Sequence, residues 1–111
     1  MDEVFQALAH NMRRQILDFV MQHPGVQSGD IYAQFEVSRI AVSKHIKILE
    51  KAELLIVEKH GRARLHYFNV MPIQAIYNRW TNEYSRFFAS KLQDFKTMLE
   101  TPDEDENEHI A

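Results

Sequence analysis

Apolar residues recur along this chain with two periods, and the change from one to the other divides it. Up to about Ala52 the spacing is helical. Phe5 and Leu8 follow Asp2 and Glu3, acids that suit a helix N-terminus, and mark a short first helix. Met12, Ile16, Phe19 and Val20 fall at i, i+4, i+7 and i+8, one stripe of a second helix with Asn11 as its N-cap. His23-Pro24-Gly25 ends it, because proline cannot continue the hydrogen-bond ladder and glycine turns freely. Ser28 caps a third helix carrying Ile31 and Phe35 one turn apart. Only Glu36 and Val37 then precede Ser38, the cap of a fourth. In that fourth helix Val42, Ile46 and Leu49 point to the core, leaving Arg39, Ile40, Ser43, Lys44 and Lys47 mostly outward. Two short helices joined by about three residues make a helix-turn-helix.

From Leu54 the pattern alternates. "LLIVEKHGRARLHYFNV" is rich in β-branched and aromatic residues and breaks at His60-Gly61-Arg62, which predicts a hairpin with a basic tip. Pro72 suits the first turn of a closing helix running to about Leu99. Ile73, Tyr77, Trp80, Tyr84, Phe88, Leu92, Phe95 and Leu99 keep spacings of three or four along it. At 1.5 Å per residue such a helix spans roughly 42 Å, more than the rest of one small domain can cover. An aromatic stripe of Tyr77, Trp80, Tyr84, Phe87 and Phe88 is more often core than anything else. Here it exceeds one core's needs, so a second copy of the chain is expected to bury the surplus.

The chain has 111 residues, 45% of them hydrophobic, which predicts one domain over residues 1–100 with a small core. Residues 101–111, "TPDEDENEHIA", hold five acids and no Lys or Arg and are expected to be a disordered tail. That tail either competes in cis for the chain's basic residues or only aids solubility. The net charge of −3 hides a local excess, seven Lys and Arg against three Glu within residues 38–66, with three His besides. No cysteine is present, which excludes disulfides and thiolate chemistry. With no apolar run long enough for a membrane span and an acidic rather than basic start, a soluble cytoplasmic protein is expected, with no membrane partner. No glycine-rich phosphate loop, nucleophile or metal-ligand cluster suggests an enzyme.

Helix, helix, helix-turn-helix, basic hairpin and long aromatic helix give the fold class: mainly α with a β-hairpin wing, a winged helix-turn-helix with a long C-terminal dimerisation helix. "VFQALAHNMRRQIL" at 4–17, "VSRIAVSKHIKILEKAELL" at 37–55 and "HGRARLHYF" at 60–68 resemble the arsenic-repressor (ArsR/SmtB) family of bacterial transcription regulators. Three departures stand out. The family usually has Gly near the ends of both helix-turn-helix helices, where this chain has Glu36 and Glu53; either these positions are strained or the helix ends differ. "HNM" at 10–12 replaces a frequent Pro-Thr pair, which affects only the cap.

The resemblance implies a DNA-binding regulator, a homodimeric repressor reading a near-palindromic operator in double-stranded DNA. It assigns Arg39, Ile40, Ala41, Ser43 and Lys44 to the major groove. Arg39 is the candidate for a bidentate contact to guanine, and Ile40 for packing on a thymine methyl. Ser38, Ser43, His45 and Lys47 suit phosphate contacts, which fix register without reading sequence. His60, Arg62 and Arg64 at the hairpin tip suit either the backbone or a narrow minor groove. His45 is as suited to packing or capping, and Arg13 and Arg14 suit pairing with carboxylates inside the fold. Dimerisation through the terminal helices is implied for Phe5, Ile73, Tyr77, Trp80, Tyr84, Phe87 and Phe88.

Many relatives release DNA on binding a metal. Gln27-Ser28-Gly29 stands where some carry Cys-x-Cys, and the closing helix has no His, with Glu83 and Asp94 too far apart to chelate together. His60 and His66 flank the hairpin tip without a third ligand, so no metal and no cofactor is expected. A small organic effector in the aromatic interface and constitutive action both fit the sequence. The competing reading is a winged-helix protein-interaction module that has lost DNA binding, suggested by the near-neutral balance of residues 1–100.

Overall fold

The computed structural model describes residues 1–100, so the expected acidic tail at 101–111 lies outside the described residues. The elements are α1 (Asp2–Leu8), α2 (Asn11–Gln22), β1 (Val26–Gln27), α3 (Ser28–Tyr32), α4 (Arg39–Lys51), β2 (Leu55–His60), β3 (Ala63–Phe68) and α5 (Met71–Glu100). The chain forms two compact units, Met1–Ile76 and the residues from Tyr77 onward. The fold class is as the sequence predicts: mainly helical, with a hairpin wing and a long C-terminal helix.

The first unit closes over one apolar core. Ile16, Leu17 and Val20 of α2, Ile31 of α3 and Val42, Ile46 and Leu49 of α4 are buried in it with Leu54 and Leu55. Burying each such side chain contributes about 1.5–3 kcal/mol, so the helical stripes read from the sequence are what hold the unit together. Met12, Phe19, Phe35 and Ile73 pack against this core partly buried. Ile73 therefore takes part in the first unit's own packing.

The sheet has a third strand that the sequence did not announce. Its order is β1-β3-β2, all antiparallel, with Val26 opposite His66 and Val57 opposite His66 on the other side. A two-residue strand is too short to show a period. His66 is 1% exposed, and its Nδ1 hydrogen-bonds the Val26 carbonyl at 3.0 Å. The expectation that it flanks the wing tip beside His60 is thus wrong: strand pairing turns it into the core. At the tip, Gly61 takes φ of 63° as the first residue of the two-residue loop between His60 and Ala63, the arrangement of a type II′ hairpin.

Caps correct two boundaries. The N-cap of α2 is His10, whose Nδ1 accepts the Met12 amide at 3.1 Å, and Asn11 is already helical. α3 starts at Ser28 without a side-chain cap and ends at Tyr32, so residues 33–38 rather than about three separate it from α4. Ser38 does cap α4, its Oγ accepting from the Ala41 amide at 3.1 Å.

Of the two glutamates standing where the family has glycine, Glu53 has a positive φ, 62°, alone among the non-glycine residues described. The amide of Glu53 bonds the Glu50 carbonyl and that of Leu54 the Leu49 carbonyl, both at 2.9 Å. This pair closes α4 as a Schellman motif, with Leu49 and Leu54 both buried beside it. A Cβ in this left-handed conformation costs on the order of 1 kcal/mol. Glu53→Gly is therefore expected to raise unfolding stability by about 0.5–1 kcal/mol in denaturant titrations, with the slope unchanged. A neutral or destabilising result would mean that the Glu53 side chain contributes more than its backbone costs.

Candidate nucleic-acid interface

α4 is two-sided by construction. Val42, Ile46 and Leu49 anchor one side, and the other shows Arg39, Ile40, Lys44 and Lys47 to solvent with Ser43 half-buried among them. Ile40 is 70% exposed, the most exposed large apolar residue among those described. Water gains nothing from such a side chain, whereas a thymine methyl would. Ala41 is half-buried behind it, and its amide is taken by the Ser38 cap.

Arg39 is not loose. Its guanidinium carbon stands 5.6 Å from the centroid of the Tyr32 ring, and Tyr32 packs against the core at the end of α3. This cation–π contact restrains the side chain before anything binds. Tyr32, Arg39, Ile40, Ser43, Lys44 and Lys47 line one open hollow. Tyr32 is a residue the sequence reading missed; an aromatic at the end of the helix preceding the basic one was the available signal.

The wing cations are arranged unequally. Arg62 is exposed in the loop. His60 is held by Glu58, Nε2 to Oε1 at 2.7 Å, and Arg64 reaches Glu50 on α4 at 3.7 Å. These exposed pairs are worth little in stability, roughly 0–1 kcal/mol each. They do mean that His60 and Arg64 must leave carboxylates before meeting phosphate.

His45 takes up the packing role, one of the two alternatives that the sequence offers it. Its ring is half-buried, 4.4 Å from the ring of His10, and its Nδ1 accepts a hydrogen bond from Arg13 Nη1 at 3.1 Å. Burial, and then the neighbouring His10 and Arg13, lower its pKa from the ordinary 6.5. A group turned inward to Arg13 is poorly placed for the phosphate contact expected of it. Arg13 also donates from Nε to the Ala7 carbonyl at 2.8 Å and from Nη2 to the Gln6 carbonyl at 3.0 Å, while Arg14 donates to the Leu8 carbonyl at 2.6 Å. Both arginines therefore satisfy carbonyls at the end of α1, where a helix favours cations, rather than pairing with carboxylates.

From Tyr77 onward α5 lies in the second unit, and no residue of the helix is fully buried. Tyr77, Trp80, Tyr84, Phe87 and Phe88 are each about half exposed or more, and the apolar series continues through Leu92, Phe95, Met98 and Leu99. Tyr84 and Phe88 stack with ring centroids 6.0 Å apart. Phe5 of α1 is 44% exposed. Among the described residues no helix is long and apolar enough to cross a membrane.

Comparison with known proteins adds four findings. A family model described as an HTH domain matches residues 12–68, from α2 to the end of the wing. The transcriptional repressor SdpR of Bacillus subtilis is 30% identical over 82 residues, 74% of this chain and 90% of that protein. The HTH-type transcriptional regulator Rv2034 of Mycobacterium tuberculosis is 27% identical over 104 residues, 94% of this chain and 92% of that one. A crystal structure of an ArsR family transcriptional regulator, 27% identical, superposes with a TM-score of 0.66 over 80% of this chain and 90% of its own.

Proposed function

The chain belongs to the HTH domain family as an ArsR-like winged helix-turn-helix transcription regulator, and from that premise we propose that it is a cytoplasmic homodimeric repressor of a near-palindromic operator. The observation that carries this reading is the exposed face of α4, where Arg39, Lys44 and Lys47 surround an apolar Ile40 that is 70% exposed. A helix fits the major groove, and its exposed side chains then meet base edges.

Arg39 reads guanine through its fork, Ile40 covers a thymine methyl, and Ser43, Lys44 and Lys47 fix the helix on the backbone beside Ala41 and the Ser38 cap. Arg62 is the wing's free contact, with Arg64 and His60 joining once their carboxylates are released. Two copies joined through α5 and Phe5 would place two such helices on one side of the duplex, about one helical turn apart. The name of SdpR, a repressor, supports the sign of regulation. An effector that acts on this dimer must bind one of its conformations more tightly than the other.

Selection of bound duplexes from a random pool tests the reading in one step. An enriched sequence with two-fold symmetry and half-sites about 10 base pairs apart is expected. Its affinity should fall linearly on a log–log salt plot, with a slope set by several phosphate contacts. A pool that returns no preferred sequence overturns the proposal.

A further inference from the structure

We propose that Arg13 is a positioning residue for DNA recognition: it ties the C-terminal end of α1 to His45 and so fixes the stance of α4. This rests on the DNA-binding reading above.

The guanidinium makes three bonds at once, to the carbonyls of Gln6 and Ala7 and to the ring of His45. A guanidinium carries only donors, so the bond to His45 exists only while Nδ1 keeps its lone pair. His10 is under the same constraint, since its Nδ1 accepts the Met12 amide. The charged and titratable groups around the joint are His10 from the α1–α2 link and Arg13 from α2. Glu3 of α1 and Lys51 of α4 line the hollow that Arg13 also borders. Adding a proton to Nδ1 of His45 removes the acceptor and sets a cation against the guanidinium. The strut between α1 and α4 then opens.

The consequence has a definite sign. Were His45 a phosphate ligand, acid would give it charge and tighten DNA binding. As the acceptor of Arg13, it weakens operator binding in acid. Stability follows the same direction. Folded His45 titrates below 6.5, so the unfolded chain binds the extra proton first. Its contribution is complete above the unfolded value and is lost as the pH falls through the folded one.

His45→Gln separates the two roles, because the amide oxygen still accepts from Arg13 but cannot be charged. Dissociation constants for the selected operator and for a random duplex are measured by fluorescence anisotropy at fixed salt, at about pH 7.5 and 5.5, the range of imidazole titration. The natural protein is expected to lose about fivefold or more operator affinity in acid relative to His45→Gln. Arg13→Lys, which cannot span three acceptors in one plane, should bind the operator more weakly already at the higher pH. Parallel pH profiles for the natural protein and His45→Gln, or tighter binding of the natural protein in acid, overturn the proposal. No preference for any duplex at the higher pH would instead refute the DNA-binding reading, and this inference with it.

Discussion

Replacing Arg39 by Ala is expected to cut affinity for the selected operator by roughly 5- to 150-fold, the worth of one bidentate base contact. Binding to random duplex should fall by far less, because phosphate contacts dominate there. The geometry is the reason for expecting the high side. The Arg39 guanidinium stands 5.6 Å from the centroid of the Tyr32 ring before any DNA arrives, so part of its side-chain freedom is already restrained. Arg39→Lys keeps the charge and loses the fork, and should behave nearly as the alanine variant at its guanine position. Tyr32→Leu keeps the fork and loses the stack, and should fall between. Lys44→Ala offers the contrast: a uniform loss on all sequences, with the salt slope smaller by about one. Competition titrations at several salt concentrations read all of these together. Equal losses on operator and random DNA for Arg39→Ala would show that this side chain does not read sequence.

The second large effect concerns α5. Tyr84→Glu combined with Phe88→Glu is expected to turn a dimer into a monomer at micromolar concentration, read by sedimentation. Tyr84 and Phe88 are 61% and 49% exposed on a helix with no fully buried residue. Apolar surface of that extent calls for a partner, and a carboxylate placed in the middle of it would be desolvated without compensation. The first unit should keep its helical signal, because its core draws no residue from beyond Ile76. Operator affinity should drop by about 100-fold or more, since linked half-site contacts act with the avidity of a tethered pair. A natural chain already monomeric at that concentration, or a double variant with unchanged affinity, would rule out this use of α5.

Much of this was legible in the sequence, for a physical reason: long elements with one buried stripe write their period into the residue order. Val42, Ile46 and Leu49 gave α4 its orientation, the alternation after Leu54 gave the hairpin, and α5 takes in the whole run from Pro72 to Leu99. What escaped depends on partners far along the chain or on unusual chemistry. β1 is two residues long and exists by pairing with β3. His10 caps α2 through an imidazole nitrogen, a job usually given to Asn, Asp or Ser. Arg13 and His45 are 32 positions apart, so no local pattern connects them. His66 reads as a wing residue until β1 covers it.

β1 also decides how the DNA-facing parts can move. Gln27, paired with Leu65 of β3, runs directly into Ser28, the first residue of α3, and the Gly25 amide fastens to the His66 carbonyl at 2.8 Å. Wing and helix-turn-helix are thus joined at β1 both by the backbone and by strand pairing. Such an instrument behaves as a rigid gauge: where an operator's groove is wider or more tightly wound than the gauge, it is the duplex that must yield.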